Sequence, residues 1–153
     1  MENEIRFVHT NLIARDWQKL ARFYIDVFGC VPVYPERDLS GEWIDSLTNI
    51  RNARIRGIHL CLPGFENSPT LEIFEYENSL PAPGSRKINN YGFGHIAFHV
   101  NNVDETLTKI RENGGSLYGE VITKEIEGIG ILKAVYTRDP EGNIIEVQNW
   151  RGK

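Results

Sequence analysis

Cysteine is scarce. The 153 residues hold only Cys30 and Cys61, with no CxxC and no histidine at zinc-finger spacing. A disulfide scaffold is excluded, and the two thiols read as buried and free in a reducing compartment. Positive charge is not in excess either: 17 Lys and Arg face 21 Asp and Glu, for a net charge of −4. A mildly acidic chain with no basic stripe is a poor binder of nucleic acid or of a membrane surface. No apolar run approaches the ~18 residues that a membrane-spanning helix needs. The opening Met1-Glu2-Asn3-Glu4 is acidic where a secretion signal would be basic, so the expectation is a cytoplasmic protein. No P-loop, GxGxxG, nucleophile elbow or Cys/His pair is present, which leaves nucleotide hydrolysis and covalent catalysis without support.

What is present is ordinary for a globular domain: 41% hydrophobic, 25% charged and 10% aromatic. Residues 1–153 are read as one domain, because compact domains run to ~100–200 residues. The chain also repeats itself. Phe7, His9 and Gly29 recur 86 residues later as Phe93, His95 and Gly115. Thr70-Leu71-Glu72-Ile73 recurs as Ile144-Ile145-Glu146-Val147, now 74 residues on. The first half therefore carries 12 extra residues, placed in the polar stretch Pro35–Asn52. This gives two modules, 5–77 and 93–150, joined by a linker at 78–92 rich in Pro, Gly, Ser and Asn.

Each module reads as strand, helix, then three strands. Residues 5–13 alternate Ile5, Phe7, His9, Asn11 and Ile13 on one face of a strand. Asp16 caps a helix whose stripe is Trp17, Leu20, Ala21, Tyr24, Val27 and Phe28, and Gly29 stops it. Further strands fall near 31–34, 55–62 and 70–77. The second module gives a strand at 93–100 and a helix with Val103, Leu107 and Ile110 on one face. Asn113-Gly114-Gly115 ends that helix, and strands follow near 117–126, 131–137 and 143–150. Asp139-Pro140-Glu141-Gly142 is a turn, with Pro presetting φ and Gly tolerating φ > 0.

The polar residues at the repeated positions carry the chemistry. Glu72 shares its strand face with Phe74 and Tyr76, and Glu146 shares its own with Ile144, Gln148 and Trp150. A carboxylate buried unpaired costs several kcal/mol, so each needs a cation or a proton beside it. His9 and His95 occupy equivalent strand positions. Two imidazoles and two carboxylates suit a divalent Zn, Ni, Co, Fe or Mn ion with room for water or substrate. The alternative is a set of hydrogen-bonded core polar groups.

Several stretches bear a family resemblance. They are His9-Thr10 ahead of Asp16…Arg22-Phe23-Tyr24…Val27-Phe28-Gly29, Leu71-Glu72-Ile73, Gly94-His95-Ile96-Ala97-Phe98, and Asp139-Pro140-Glu141-Gly142-Asn143-Ile144-Ile145-Glu146. Together they make the chain similar to the vicinal oxygen chelate superfamily, which includes glyoxalase I, methylmalonyl-CoA epimerase, ring-cleaving dioxygenases and antibiotic-resistance proteins. The resemblance covers nearly the whole chain. It implies an α+β fold of two tandem βαβββ modules forming an eight-stranded, open barrel-like mixed sheet around one metal, with ligands at His9, Glu72, His95 and Glu146. Family dioxygenases have no carboxylate at the Glu72 position and are usually longer. Fosfomycin-modifying relatives use two His and one Glu, and antibiotic-sequestering ones typically lack the metal set.

What remains resembles the isomerase branch: a metal-dependent isomerase or lyase, a homodimer, taking a thiol adduct or an acyl-CoA. By analogy Glu146 or Glu72 is the base that carries a proton from carbon beside a carbonyl, with the choice leaning to Glu146. The alternatives are a dioxygenase and a small-molecule-binding module without turnover. Of the other candidates, His59 reads as pocket wall or satisfied core and not as a ligand. His99 reads as solvent-facing or as supporting the ligands, and Glu42 and Trp43 as an exposed loop with one packed aromatic. Arg86 and Lys87 read as a solvated charge pair in the linker.

Overall fold

The computed structural model describes residues 4–82 and 84–152; the start of the acidic opening, Met1 to Asn3, lies outside them. The chain divides into two compact units, one ending at Leu80 and the other beginning at Pro81. No described helix is long and apolar enough to cross a membrane.

The first unit runs β1 (His9–Ile13), α1 (Trp17–Phe28), β2 (Val31–Ser40), α2 (Glu42–Thr48), β3 (Arg54–Cys61) and β4 (Thr70–Tyr76). Its strands form one sheet in the order β1-β4-β3-β2, with β1 parallel to β4 and the other pairs antiparallel. Helix α1 is set at both ends by its sequence. The Asp16 carboxylate accepts the Lys19 N–H at 3.0 Å, and Gly29 takes φ 70° so that its N–H and that of Cys30 reach the carbonyls of Ile25 and Tyr24. Its stripe buries Leu20, Ala21, Phe23, Tyr24 and Val27. They pack over β3 and β4, where Ile58, Leu60, Leu71 and Ile73 are all nearly inaccessible. Each such side chain contributes roughly 1.5–3 kcal/mol by leaving water. Behind the stripe Cys30 is buried, and burial pushes its thiol up to about 12. Both cysteines are free.

The opposite face of that sheet is set by register. His59 pairs with Glu72, Gly57 with Phe74, and Asn11 with Glu72, so Asn11, His59, Glu72, Phe74 and Gly57 share one face. Helix α2 covers part of it, with Ile44 buried against Ile55 and Phe74. The segment read as an exposed loop is therefore a helix, and its packed residue is Ile44, while Trp43 is 58% exposed. A seven-residue helix is too short to display a periodic stripe, which is why the pattern did not reveal it. The extra residues do fall there: 41–53 joins β2 to β3, where only 127–129 joins the corresponding strands of the second unit. Asp45 fastens the return by accepting the N–H groups of Asn52 and Ala53 at 2.8 and 2.9 Å.

The second unit runs β5 (Ile96–His99), α3 (Val103–Glu112), β6 (Ser116–Leu117), β7 (Ile122–Ile126), β8 (Gly130–Arg138) and β9 (Ile144–Arg151). Its sheet is ordered β5-β9-β8-β6, with β7 also paired to β8 and β5 parallel to β9. The expected strand at 117–126 is thus two short strands on one partner. Asn102 caps α3, and Val103, Thr106, Leu107 and Ile110 form its buried side. The Asp139 carboxylate closes the turn before β9 by accepting the N–H groups of Glu141 and Asn143. The expected βαβββ pattern is thus modified in both units: α2 is inserted in the first, and the strand after the helix is split in two in the second. The described residues therefore form nine strands where eight were expected, in a mixed α+β architecture of two sheets, one per unit.

Both opening strands are shorter than their alternation suggests. β1 starts at His9 and not at residue 5, because its partner β4 starts at Thr70 and offers nothing to pair before it. β5 starts at Ile96 and not at residue 93, its ladder with β9 beginning at the Ile96–Ile145 pair.

Gly57 lies opposite Phe74 in the β3–β4 ladder. A Cβ there would overlap the Ile73 carbonyl oxygen and come within 2.9 Å of Phe74 Cα. Gly57→Ala is expected to lower stability by about 2 kcal/mol or more. Gly119→Ala, with open space around it, should stay within about 0.5 kcal/mol in the same denaturant titration.

Candidate metal centre

Each unit ends with its last strand beside its first, and that pairing aligns the polar residues. In the first unit Glu72 lies opposite Asn11, two residues beyond His9. In the second, Glu146 lies opposite Ala97, two residues beyond His95. Each histidine consequently meets the glutamate of its own unit. His9 Nε2 is 3.8 Å from Glu72 Oε2, and His95 Nε2 is 3.1 Å from Glu146 Oε2. The glutamates are the less accessible partners, with side chains 13% and 21% exposed.

The first unit adds a residue read from the sequence as pocket wall. His59 Nε2 lies 3.0 Å from Glu72 Oε2, and the His59 ring meets that of His9 edge-on at 5.9 Å. One ligand atom from each of His9, His59 and Glu72 falls within 4.8 Å of the others. At the register position equivalent to His59, the second unit carries Tyr136, opposite Glu146 and packed edge-on against His95 at 5.1 Å.

Hydrogen bonds orient this cluster from behind. Asn11 Nδ2 donates to Glu72 Oε1 at 2.8 Å, leaving Oε2 to face the histidines. Thr70 Oγ1 lies 3.1 Å from His59 Nδ1, so His59 Nε2 is the nitrogen turned to the carboxylate. The His59 pKa is held below its ordinary value, chiefly by burial, with the Arg37 and His9 charges adding to the shift and Glu72 opposing it. At neutral pH His59 is therefore a neutral imidazole. Burial, aided by Glu72, pushes Tyr76 up.

The cluster opens onto a cavity of about 510 Å³ between the sheet face and α2. Trp43, Leu47, Ile50, Ile55 and Phe74 make most of its wall apolar, and Arg37 supplies a cation. His99 is exposed and joins neither pair. Arg86 is tied into the second unit and is not simply solvated, since its guanidinium donates to the Phe93 carbonyl and its own carbonyl accepts from Arg138.

The donors fit a divalent ion. Bonds of ~2.0–2.2 Å to imidazole nitrogen and carboxylate oxygen place neighbouring ligand atoms on the order of 3 Å apart. Separations of 3.0, 3.1 and 3.8 Å are close to that spacing. Neutral imidazole with carboxylate is the mixture that Zn, Fe, Mn, Co and Ni accept.

Comparison with known families decides the kinship. The model of the glyoxalase/bleomycin resistance protein/dioxygenase superfamily matches residues 6–147. The chain belongs to this superfamily. Its members typically bind a divalent metal and act on small molecules. Solved structures share the fold at low identity. A glyoxalase family protein from Bacillus cereus is 17% identical, with 99% of this chain and 97% of that one covered at a TM-score of 0.83. A trypanothione-dependent glyoxalase I from Leishmania major is 19% identical over 95% and 87% of the two chains, with a TM-score of 0.63. A genomically encoded fosfomycin resistance protein from Listeria monocytogenes is 18% identical over 99% and 97%, with a TM-score of 0.57. Comparison with curated protein sequences gives no match.

The lowered His59 pKa has a pH consequence. Near the ordinary value of 6.5 the unfolded chain binds this proton more tightly than the folded one, so the contribution is fully present above 6.5 and lost as pH falls. In urea titrations, acidification through that range is expected to destabilise the wild type more steeply than His59→Gln. Equal slopes would contradict it.

Proposed function

We propose that this member of the superfamily is a metal-dependent isomerase or lyase of the glyoxalase I or methylmalonyl-CoA epimerase type. It removes a proton from carbon beside a carbonyl and returns it to a neighbouring atom or to the other face. The reading includes a cytoplasmic homodimer acting on a thiol adduct or an acyl-CoA. The observation that carries it is the repeated pair: an imidazole nitrogen and a carboxylate oxygen 3.8 Å apart in the first unit and 3.1 Å apart in the second.

His9, Glu72, His95 and Glu146 are the proposed metal ligands. The bound metal supplies Lewis-acid polarisation of a carbonyl oxygen, which stabilises negative charge as the proton leaves. The chain's own residues divide the remaining work. Glu72 is held by Asn11 on one oxygen and faces two histidines with the other, so it is built to stay in place. Glu146 meets His95, where Glu72 meets two histidines and Asn11, so its carboxylate is the less restrained of the two. Glu146 is therefore the proposed base, with Glu72 as the alternative. The apolar side chains of Trp43, Leu47 and Phe74 line the cavity beside the first pair and suit the non-polar part of a substrate.

The test is solvent exchange. With methylglyoxal–glutathione adduct and with methylmalonyl-CoA in deuterated water, the wild type is expected to exchange the proton beside the carbonyl of one of them. Glu146→Gln should keep the fold and lose exchange by about 100-fold or more, the scale of general-base catalysis. Undiminished exchange in that variant rejects Glu146 as the base.

A second reading has one observation in its favour. Two histidines and one carboxylate converge in the first unit, and that donor set also suits non-haem iron oxygenases. Oxygen-dependent consumption of a catechol by iron-loaded protein would select it over proton transfer.

A further inference from the structure

We infer that the cavity beneath α2 binds a small carboxylate with an apolar body, Arg37 taking the carboxylate and Trp43, Leu47 and Ile50 the body. This deepens the proposed function and rests on that reading for the claim that the ligand is the substrate: the portion of it that enters the cavity then carries a carboxylate.

Register brings the cation to the site. Arg37 pairs with Gly57, and Gly57 with Phe74, while His59 pairs with Glu72 two residues along. Arg37, His59, Glu72 and Phe74 therefore share one sheet face, and all four line the cavity. The nearby acids are engaged by other groups. Asp38 accepts two hydrogen bonds of 2.9 Å from Arg54, and Glu72 meets Asn11 and His59. Among the described residues Arg37 forms no ion pair, and its hydrogen bonds run from Nη1 to the carbonyls of Val33 and Pro35. Nε and Nη2 are left, the edge on which a guanidinium grips a carboxylate with two parallel bonds. A cation half-buried in a mostly apolar cavity gives up hydration without gaining a partner, and an anionic ligand supplies one.

The rest of the cavity narrows the class. Asn11 Nδ2 donates to Glu72, His59 Nδ1 meets Thr70 Oγ1, and Thr48 Oγ1 donates to the Ile44 carbonyl. One guanidinium with the Glu72 carboxylate on the same face suits a monoanion, since a phosphate dianion would be repelled by Glu72 with a single cation to offset it. Trp43, Leu47 and Ile50 are all exposed in one short segment while Ile44 between them is buried, an apolar patch that a ligand body would cover. The volume of about 510 Å³ falls within the ~300–1,000 Å³ of small-molecule sites.

Calorimetry on the full-length protein tests this with phenylacetate and its neutral counterpart phenylacetamide. The wild type should bind the acid at least about 10-fold more tightly than the amide, the scale of a charge-assisted hydrogen bond. Arg37→Gln should weaken the acid by about 10–100-fold and leave the amide within about 3-fold. Trp43→Ala should weaken acid and amide alike, by about 5-fold or more. Equal weakening of acid and amide in Arg37→Gln would give Arg37 a merely structural role and overturn the inference. Acid binding that survives Arg37→Gln would place the carboxylate on another group, a bound metal included, and would also overturn it, as would a wild type that binds no phenylacetate at millimolar concentration. If Arg37→Gln loses its circular dichroism, the chelator-treated wild type decides: a preference for acid over amide that persists supports the inference, and one that vanishes overturns it. The readout is binding and not turnover, so a failed exchange test leaves this result standing, and loss of the acid preference leaves the exchange result untouched.

Discussion

The parallel pairing of a unit's first strand with its last governs everything the site can do. A parallel ladder has no hairpin to set its register, so the register must come from packing. In the first unit Leu12 and Ile73 pair side by side and face α1, and in the second Phe98 pairs with Val147. A slip of one residue would turn Glu72 into the α1 interface and Ile73 into the cavity, exchanging a buried aliphatic for a buried charge. The apolar face thus locks the polar face. That is how two paired strands about sixty residues apart in sequence bring His9 Nε2 to 3.8 Å from Glu72 Oε2.

Because the same pairing occurs twice, the repeat was readable from spacing alone. Phe7, His9 and Gly29 announce their counterparts, and Leu71-Glu72-Ile73 announces the strand around Glu146. Helix α1 was equally legible, since Asp16 and Gly29 mark its ends and its stripe is three turns long. His59 was not legible. It lies one strand away across a hairpin, and whether it meets Glu72 depends on how the connection 62–69 closes. Alternation places His59 on one of two faces but cannot say which residue stands opposite. Helix α2 escaped for a different reason: its packing rests on the single side chain of Ile44, with Trp43 beside it left in the open.

The two units differ where their repeats diverge. β2 runs unbroken along β3 apart from a shift between Val33 and Arg37, while its counterpart is split into β6 and β7 on β8. The first unit carries a second histidine at its glutamate, an apolar cavity and a covering helix. The second carries a tyrosine against its histidine and a tight Asp139 turn. Kinship to the superfamily follows from what the halves share, whereas chemical individuality rests on what they do not.

The way α2 is attached has a practical meaning. Asp45 clasps the backbone of Asn52 and Ala53, so the segment from Gly41 to Ala53 closes on itself before the chain re-enters the sheet. None of the proposed metal ligands lies within it. It behaves as an exchangeable cassette: a designer could resize or repolarise the mouth of the cavity by rewriting Trp43, Leu47 and Ile50, leaving Ile44 and Asp45 as its anchors and the donor strands untouched.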